Sequence, residues 1–163
     1  MKNNWEENIN QFIGLSNKYQ VKMIMVGGGA VNFHGYQRHS ADVDFWISTV
    51  DENLQKLVNV FKDMGYEIDD FPDEVKNQMQ NISVKFSPLD LDLELITRFS
   101  SSKTFEEAYK KSEEAFIEGE KILKWRVLSF DDLIDSKIKA QRPKDLLDIQ
   151  QLQEIKNEKE RGN

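Results

Sequence analysis

Apolar positions recur at helical spacing from the start of the chain. Trp5, Ile9, Phe12 and Ile13 predict an amphipathic N-terminal helix. Lys22 to Val26 is a short apolar run that predicts a strand, and Ala30 to Tyr36 predicts a helix ending near Gly35. Between Val43 and Ser48, Val43, Phe45 and Ile47 alternate with Asp42, Asp44 and Trp46, the period of a half-buried strand. Thr49-Val50-Asp51-Glu52 resembles a capping box. Leu54, Leu57, Val58 and Phe61 then mark one helix face, which Gly65 stops. Tyr66 to Ile68 reads as a short strand, and polar Pro72 to Gln80 as a helical turn over the site.

The second half is richer in paired strands. Ile82 to Phe86 and Leu89 to Ile96 predict a strand pair with a turn at Ser87-Pro88. Phe105 to Lys111 is helical. Ala115 to Glu118 and Lys121 to Leu128 predict a hairpin turning at Gly119. Ser129 is a natural N-cap for a helix that Pro143 interrupts, because the residue before a proline, Arg142, is biased out of helix. Pro143 suits the first turn of a last helix whose Leu146, Ile149 and Leu152 are expected to face inward. The charged tail from Lys156 to Asn163 is expected to fray.

Strands alternate with helices early and hairpins follow, so the pattern predicts an α/β or α+β fold with a mixed sheet flanked by helices. There is no internal repeat and no linker-like stretch. Residues 1–163 therefore form one domain, with 129–155 as a C-terminal helix pair packed on it.

Composition narrows the chemistry. The net charge of −7 and a pI near 5.0 argue against nucleic-acid binding through bulk charge, leaving room for a local basic patch. Without cysteine there is no disulfide framework and no thiolate zinc site. Two histidines and no H-E-x-x-H pattern disfavour a zinc hydrolase. The first residues lack the apolar core of a signal peptide, and no apolar run is long enough to span a bilayer, so the cytoplasm is the expected compartment and no membrane partner is expected.

The chemistry concentrates between Val26 and Ile47, V-G-G-G-A-V-N-F-H-G-Y-Q-R-H-S-A-D-V-D-F-W-I. Asp42 and Asp44, two apart on a strand, share a face, where their repulsion favours a divalent cation. A solvated edge strand gives the same pattern. Gly27, Gly28 and Gly29 ahead of a helix can let backbone N–H groups approach a phosphate, or can simply make a tight turn. They match neither a P-loop nor a dinucleotide fingerprint. Leu89-Asp90-Leu91-Asp92-Leu93-Glu94-Leu95 puts leucines on one face and three acids on the other. Like charges in a row on a strand call for a cation or a basic neighbour. Beside the Asp42/Asp44 strand, one of these acids would complete a site for two metals roughly 3.5–4 Å apart. Lys137, Lys139, Arg142 and Lys144 form the dense basic cluster, either a solvated helix surface with pairs such as Asp135–Lys139, or cations for a triphosphate. His34 and His39 read as loop residues, Trp46 and Trp125 as core or half-core. Phosphate cradle and metal pair together point to phosphoryl or nucleotidyl transfer.

Together these residues resemble the nucleotidyltransferase superfamily with the DNA polymerase β-type fold, and more narrowly its small bacterial toxin-type (abortive-infection) and minimal members. The pattern G-G, short helix, R-x-[ST]-x-D-x-D is matched by Gly27-Gly28, Arg38, Ser40, Asp42 and Asp44. Leu91 to Ile96 matches the family's acidic strand. The helix pair is matched at Leu133, Lys137, Arg142, Lys144, Asp145 and Asp148. The resemblance covers most of residues 20 to 152. It implies transfer of a nucleoside monophosphate from an NTP to an acceptor hydroxyl with two Mg²⁺ or Mn²⁺ ions. Asp42 and Asp44 would be metal ligands, joined by Glu94 or Asp92. Gly27 to Gly29, Arg38, Ser40 and Lys137 would contact nucleotide. The family usually shows one acid followed by two apolar residues on the third-carboxylate strand. Here Asp92 and Glu94 compete, and the register with Leu95-Ile96-Thr97 leans to Glu94. The acceptor could be a small molecule, a tRNA end or a protein, and a partner protein or homo-oligomer stays open. The alternative is a catalytically silent nucleotide-binding partner or antitoxin-like protein.

Overall fold

The N-terminal apolar stripe builds α1 (Asn4–Lys18), which buries Ile9, Phe12 and Ile13. The computed structural model describes residues 4–37, 42–86 and 91–162. After α1 come β1 (Met23–Val26), α2 (Gly27–Phe33), β2 (Asp42–Ile47), α3 (Asp51–Asp63) and α4 (Asp73–Lys76). Then follow β3 (Ile82–Val84), β4 (Asp92–Ile96), α5 (Phe105–Lys111), the hairpin β5 (Glu113–Ile117) and β6 (Leu123–Val127), and the helix pair α6 (Phe130–Ala140) and α7 (Pro143–Arg161).

Among the described residues the strands form one mixed sheet in the order β3-β4-β2-β1-β6-β5. β2 and β4 are parallel, as are β1 and β6, and the other neighbours are antiparallel. The fold is α+β with helices on the sheet, as the periodicity predicted. Strand parity divides the interior in two. Met23, Val43, Phe45, Ile47, Leu93 and Leu95 face α1 and α3 in one core. Ile24, Val26, Trp46 and Val127 face the other way, into a core shared with α2, α5, α6 and α7. Asp42 and Asp44 alternate with Val43 and Phe45, so they share the Trp46 face, the side of α2, α6 and α7.

Several local expectations need correction. α2 starts at Gly27, so the glycines are its first turn rather than a loop before it. The residue capping α3 is Val50, whose side chain cannot accept a hydrogen bond, and no capping box forms there. Tyr66 to Ile68 is not a strand. Tyr66 N–H closes on the Phe61 carbonyl as the helix exit, with Gly65 at φ +99°. The turn holding α4 is helical but is pinned by buried Phe71 and Val75 in the α1/α3 core, on the sheet face away from the acids. The Ser87-Pro88 turn lies outside the described residues.

The C-terminal pair holds the largest surprise. Ser129 caps α6 by accepting from the Asp132 N–H (3.2 Å), and Arg142 is extended before Pro143, both as read from sequence. On α7, however, the buried positions are Asp145, Asp148 and Leu152, and Leu146 is 60% exposed. The inward stripe falls on Asp145 because α6 presents a buried lysine to it, and Leu146 is turned about 100° away by the next helical step. The tail also stays helical to Arg161. Ile155 packs under Gly35, Lys156 lies over the Phe130 ring at 5.1 Å, and Arg161 Nε donates to the Asn157 carbonyl. No helix of the described residues is long and apolar enough to cross a membrane.

Candidate active site

Parallel pairing of β2 and β4 sets Asp42 level with Asp92 and Asp44 level with Glu94. Neighbouring strands lie about 4.8 Å apart, so each pair sits side by side on one face. All four acids thus lie on one face, toward the start of two adjacent strands. On its other side, Asp44 lies opposite Val26, the last residue of β1 before the glycines.

Gly27 is fitted to that neighbour. Its φ is +64°, a region L side chains rarely adopt, and a Cβ there would overlap Asp44 Oδ2. The first turn of α2 can therefore lie against the Asp44 carboxylate only if residue 27 is glycine. Gly28 is buried, and a Cβ on Gly29 would press on the flexible Met25 thioether at 2.7 Å.

The electrostatics single out Asp44. Its pKa is pushed up to about 6 from an ordinary 3.8. Burial is the largest cause, followed by the negative charges of Asp42 and Glu94. Lys144 and Arg142 pull the other way without prevailing. Asp44 thus sits in an excess of negative charge, faced by the first turn of α7. Glu94 is held by a short hydrogen bond from Ser83 Oγ to Oε2 (2.6 Å).

Among the described residues, no three or more His, Cys, Asp or Glu side chains converge closely enough to hold a metal ion. The donor set nevertheless suits a hard divalent cation, being carboxylate oxygens on neighbouring strands. The Asp44 pKa is raised first by burial and then by the charges of Asp42 and Glu94, and a bound cation would oppose those effects.

Of the other residues predicted for the site, Arg38 and Ser40 lie outside the described residues. Lys137 is placed elsewhere than expected. It is buried between α6 and α7, with Nζ at 3.2 Å from Asp145 and 2.9 Å from Asp148, rather than turned to the acids of the sheet. A buried lysine must be paired, and the two aspartates supply that. Asp145 also accepts both a bidentate pair from Arg142 (Nε 2.7 Å, Nη2 3.1 Å) and the Arg142 backbone N–H. Burial would raise the Asp145 pKa, but the Arg142 hydrogen bonds and the Lys137 charge outweigh it and hold the carboxyl below its usual range. Among the described residues, the cations acting on Asp44 are accordingly Lys144 and the tethered Arg142, both members of the basic cluster read from the sequence. Ser83 gave no signal in the sequence, because its role appears only through strand pairing. His34 is structural: Nε2 donates to the Leu128 carbonyl (2.7 Å), and the ring packs edge-on to Phe33 and Phe130.

A family described as a nucleotidyltransferase of unknown function matches the chain over residues 4–158. The curated proteins searched include no match.

Proposed function

The chain belongs to this nucleotidyltransferase family, and on that premise we propose that it moves a nucleoside monophosphate from an NTP to an acceptor hydroxyl. The observation that carries the proposal is the level pairing of Asp44 with Glu94 beside Asp42, on strands that abut a glycine-started helix. In the reaction the acceptor oxygen bonds to the α-phosphorus, the bond from that phosphorus to the β-phosphate oxygen breaks, and pyrophosphate leaves. Two divalent cations, Mg²⁺ or Mn²⁺, would supply charge neutralisation and a more acidic acceptor hydroxyl.

The residues divide that work. Asp42 and Asp44 hold the cations. Glu94 is the third carboxylate, because it is level with Asp44 and acts on its charge, whereas Asp92 is level with the exposed Asp42 nearer the strand start. Glu94 also takes up the proton released by the acceptor. Lys144 and Arg142 offset the negative charge of the triphosphate and of the departing pyrophosphate. The Asp145 clamp holds the Arg142 guanidinium in one place, so little rotamer freedom remains to be lost when nucleotide arrives. Gly27 to Gly29 bring backbone N–H groups near the phosphates, with Arg38 and Ser40 as further contacts. Lys137 supports this arrangement from beneath, through Asp145.

Incubation with each labelled NTP, Mg²⁺ and cell extract tests the proposal and identifies the acceptor class among small molecules, tRNA ends and protein hydroxyls. The expected result is one labelled acceptor species and released pyrophosphate. Nucleotide binding without labelling, across all four NTPs, would instead favour a silent, antitoxin-like partner protein.

A further inference from the structure

Glu94 has a long side chain with several rotamers, and a carboxylate that must meet a cation at fixed distance gains from being held beforehand. The structure shows one device that does this. Ser83, on the edge strand β3, lies directly across from Glu94 in the antiparallel ladder, so the two side chains share a face. Ser83 Oγ donates to Glu94 Oε2 at 2.6 Å, the short distance of a hydrogen bond to a charged acceptor. A serine hydroxyl has a single proton to give. Given to Oε2, it fixes one carboxylate oxygen and leaves Oε1 uncommitted to Ser83. The ladder ends at Val84 opposite Leu93, one residue short of Asp92. The same edge strand therefore orients one of the two competing acids and stops before the other.

We propose that Ser83 is a positioning residue, which orients the Glu94 carboxylate beside Asp44 for a divalent cation. The inference rests on the nucleotidyltransferase reading, and it separates from that reading experimentally. Ser83 is exposed, so its replacement removes no core packing. Thr and Val have the same shape and both suit a strand, but only Thr keeps the hydroxyl. Mn²⁺ is titrated into the full chain with a non-hydrolysable NTP analogue and followed by the electron paramagnetic resonance of free Mn²⁺. Melting temperatures are recorded in EDTA alongside.

Ser83→Val should weaken Mn²⁺ binding roughly 10-fold or more, the usual cost of removing a group that orients a metal ligand, while Ser83→Thr stays near wild type. Melting temperatures in EDTA should match. If Val itself lowers the melting temperature, Ser83→Ala carries the comparison. Binding unchanged in Ser83→Val, or equally weak in Ser83→Thr, overturns the inference alone, provided that Glu94→Gln weakens Mn²⁺ binding. A wild type that binds no Mn²⁺ with the analogue overturns the nucleotidyltransferase reading and this inference with it.

Discussion

Replacing Asp44 by Asn should make the metal-free protein more stable, not less. The side chain keeps its shape and loses a charge that the fold holds at a disadvantage. A pKa near 6 against an ordinary 3.8 means that the folded protein binds this proton about a hundredfold more tightly than the unfolded chain. At about 1.4 kcal/mol per tenfold, the penalty on the ionised form has a ceiling of about 3 kcal/mol. Asp44 is only half-buried, and salt screens its neighbours, so a gain of about 1–2 kcal/mol is the working expectation. The sign follows from linkage. Because the folded-state pKa is raised, wild-type stability falls as pH rises from about 4 to 6, and the full penalty is present above that window. Urea unfolding in EDTA at a series of pH values measures it. Asp44→Asn should exceed wild type at pH 7, and the two should converge toward pH 4. Magnesium with NTP should then stabilise wild type and leave the variant unchanged. An Asn variant less stable than wild type at pH 7 in EDTA would refute the reasoning, since Asp44 would then be a stabilising structural acid.

Three further substitutions probe the frame. Lys137→Ala should cost about 3–5 kcal/mol in urea unfolding, because it removes the buried cation that Asp145 and Asp148 share between α6 and α7. Loss of nucleotide affinity with unchanged stability would instead place Lys137 at the triphosphate. Gly27→Ala should lose roughly 1–3 kcal/mol through its positive φ, and lose Mg²⁺–NTP-dependent stabilisation as the new methyl displaces the Asp44 carboxylate. Wild-type stability in that variant would contradict the close approach. Ser129→Ala should cost about 1 kcal/mol by removing the α6 N-cap, and no measurable change would mean that the cap is redundant.

What the sequence carried was set by periodicity. Val43, Phe45 and Ile47 fixed a strand face, and the acids between them had to fall on the opposite face. Alternating leucines did the same for Asp92 and Glu94. Two parallel strands then needed only a register to form the site, and no local pattern encodes that register. In the sequence Asp92 and Glu94 therefore compete, and the pairing of β2 with β4 sets Asp92 level with Asp42 and Glu94 level with Asp44. The misread segments share a cause. Leu146 looked like an inward residue because apolar spacing was weighed without knowing that α6 buries a lysine. Lys137 reads in the sequence as a phosphate contact, and its burial depends on Asp145 and Asp148 across a helix junction. Ser83 was silent because its meaning lies in a cross-strand neighbour eleven residues away.

The central claim is that Asp44 and Glu94, level on neighbouring strands, form the reacting centre. Its most direct test compares NTP-dependent labelling of the acceptor by wild type, Asp92→Asn and Glu94→Gln, with nucleotide binding measured in parallel. The account predicts that Glu94→Gln loses labelling by orders of magnitude while still binding nucleotide, and that Asp92→Asn keeps most of it. Labelling that survives in Glu94→Gln and disappears in Asp92→Asn would contradict the assignment. Labelling that survives in both would remove the third carboxylate from β4.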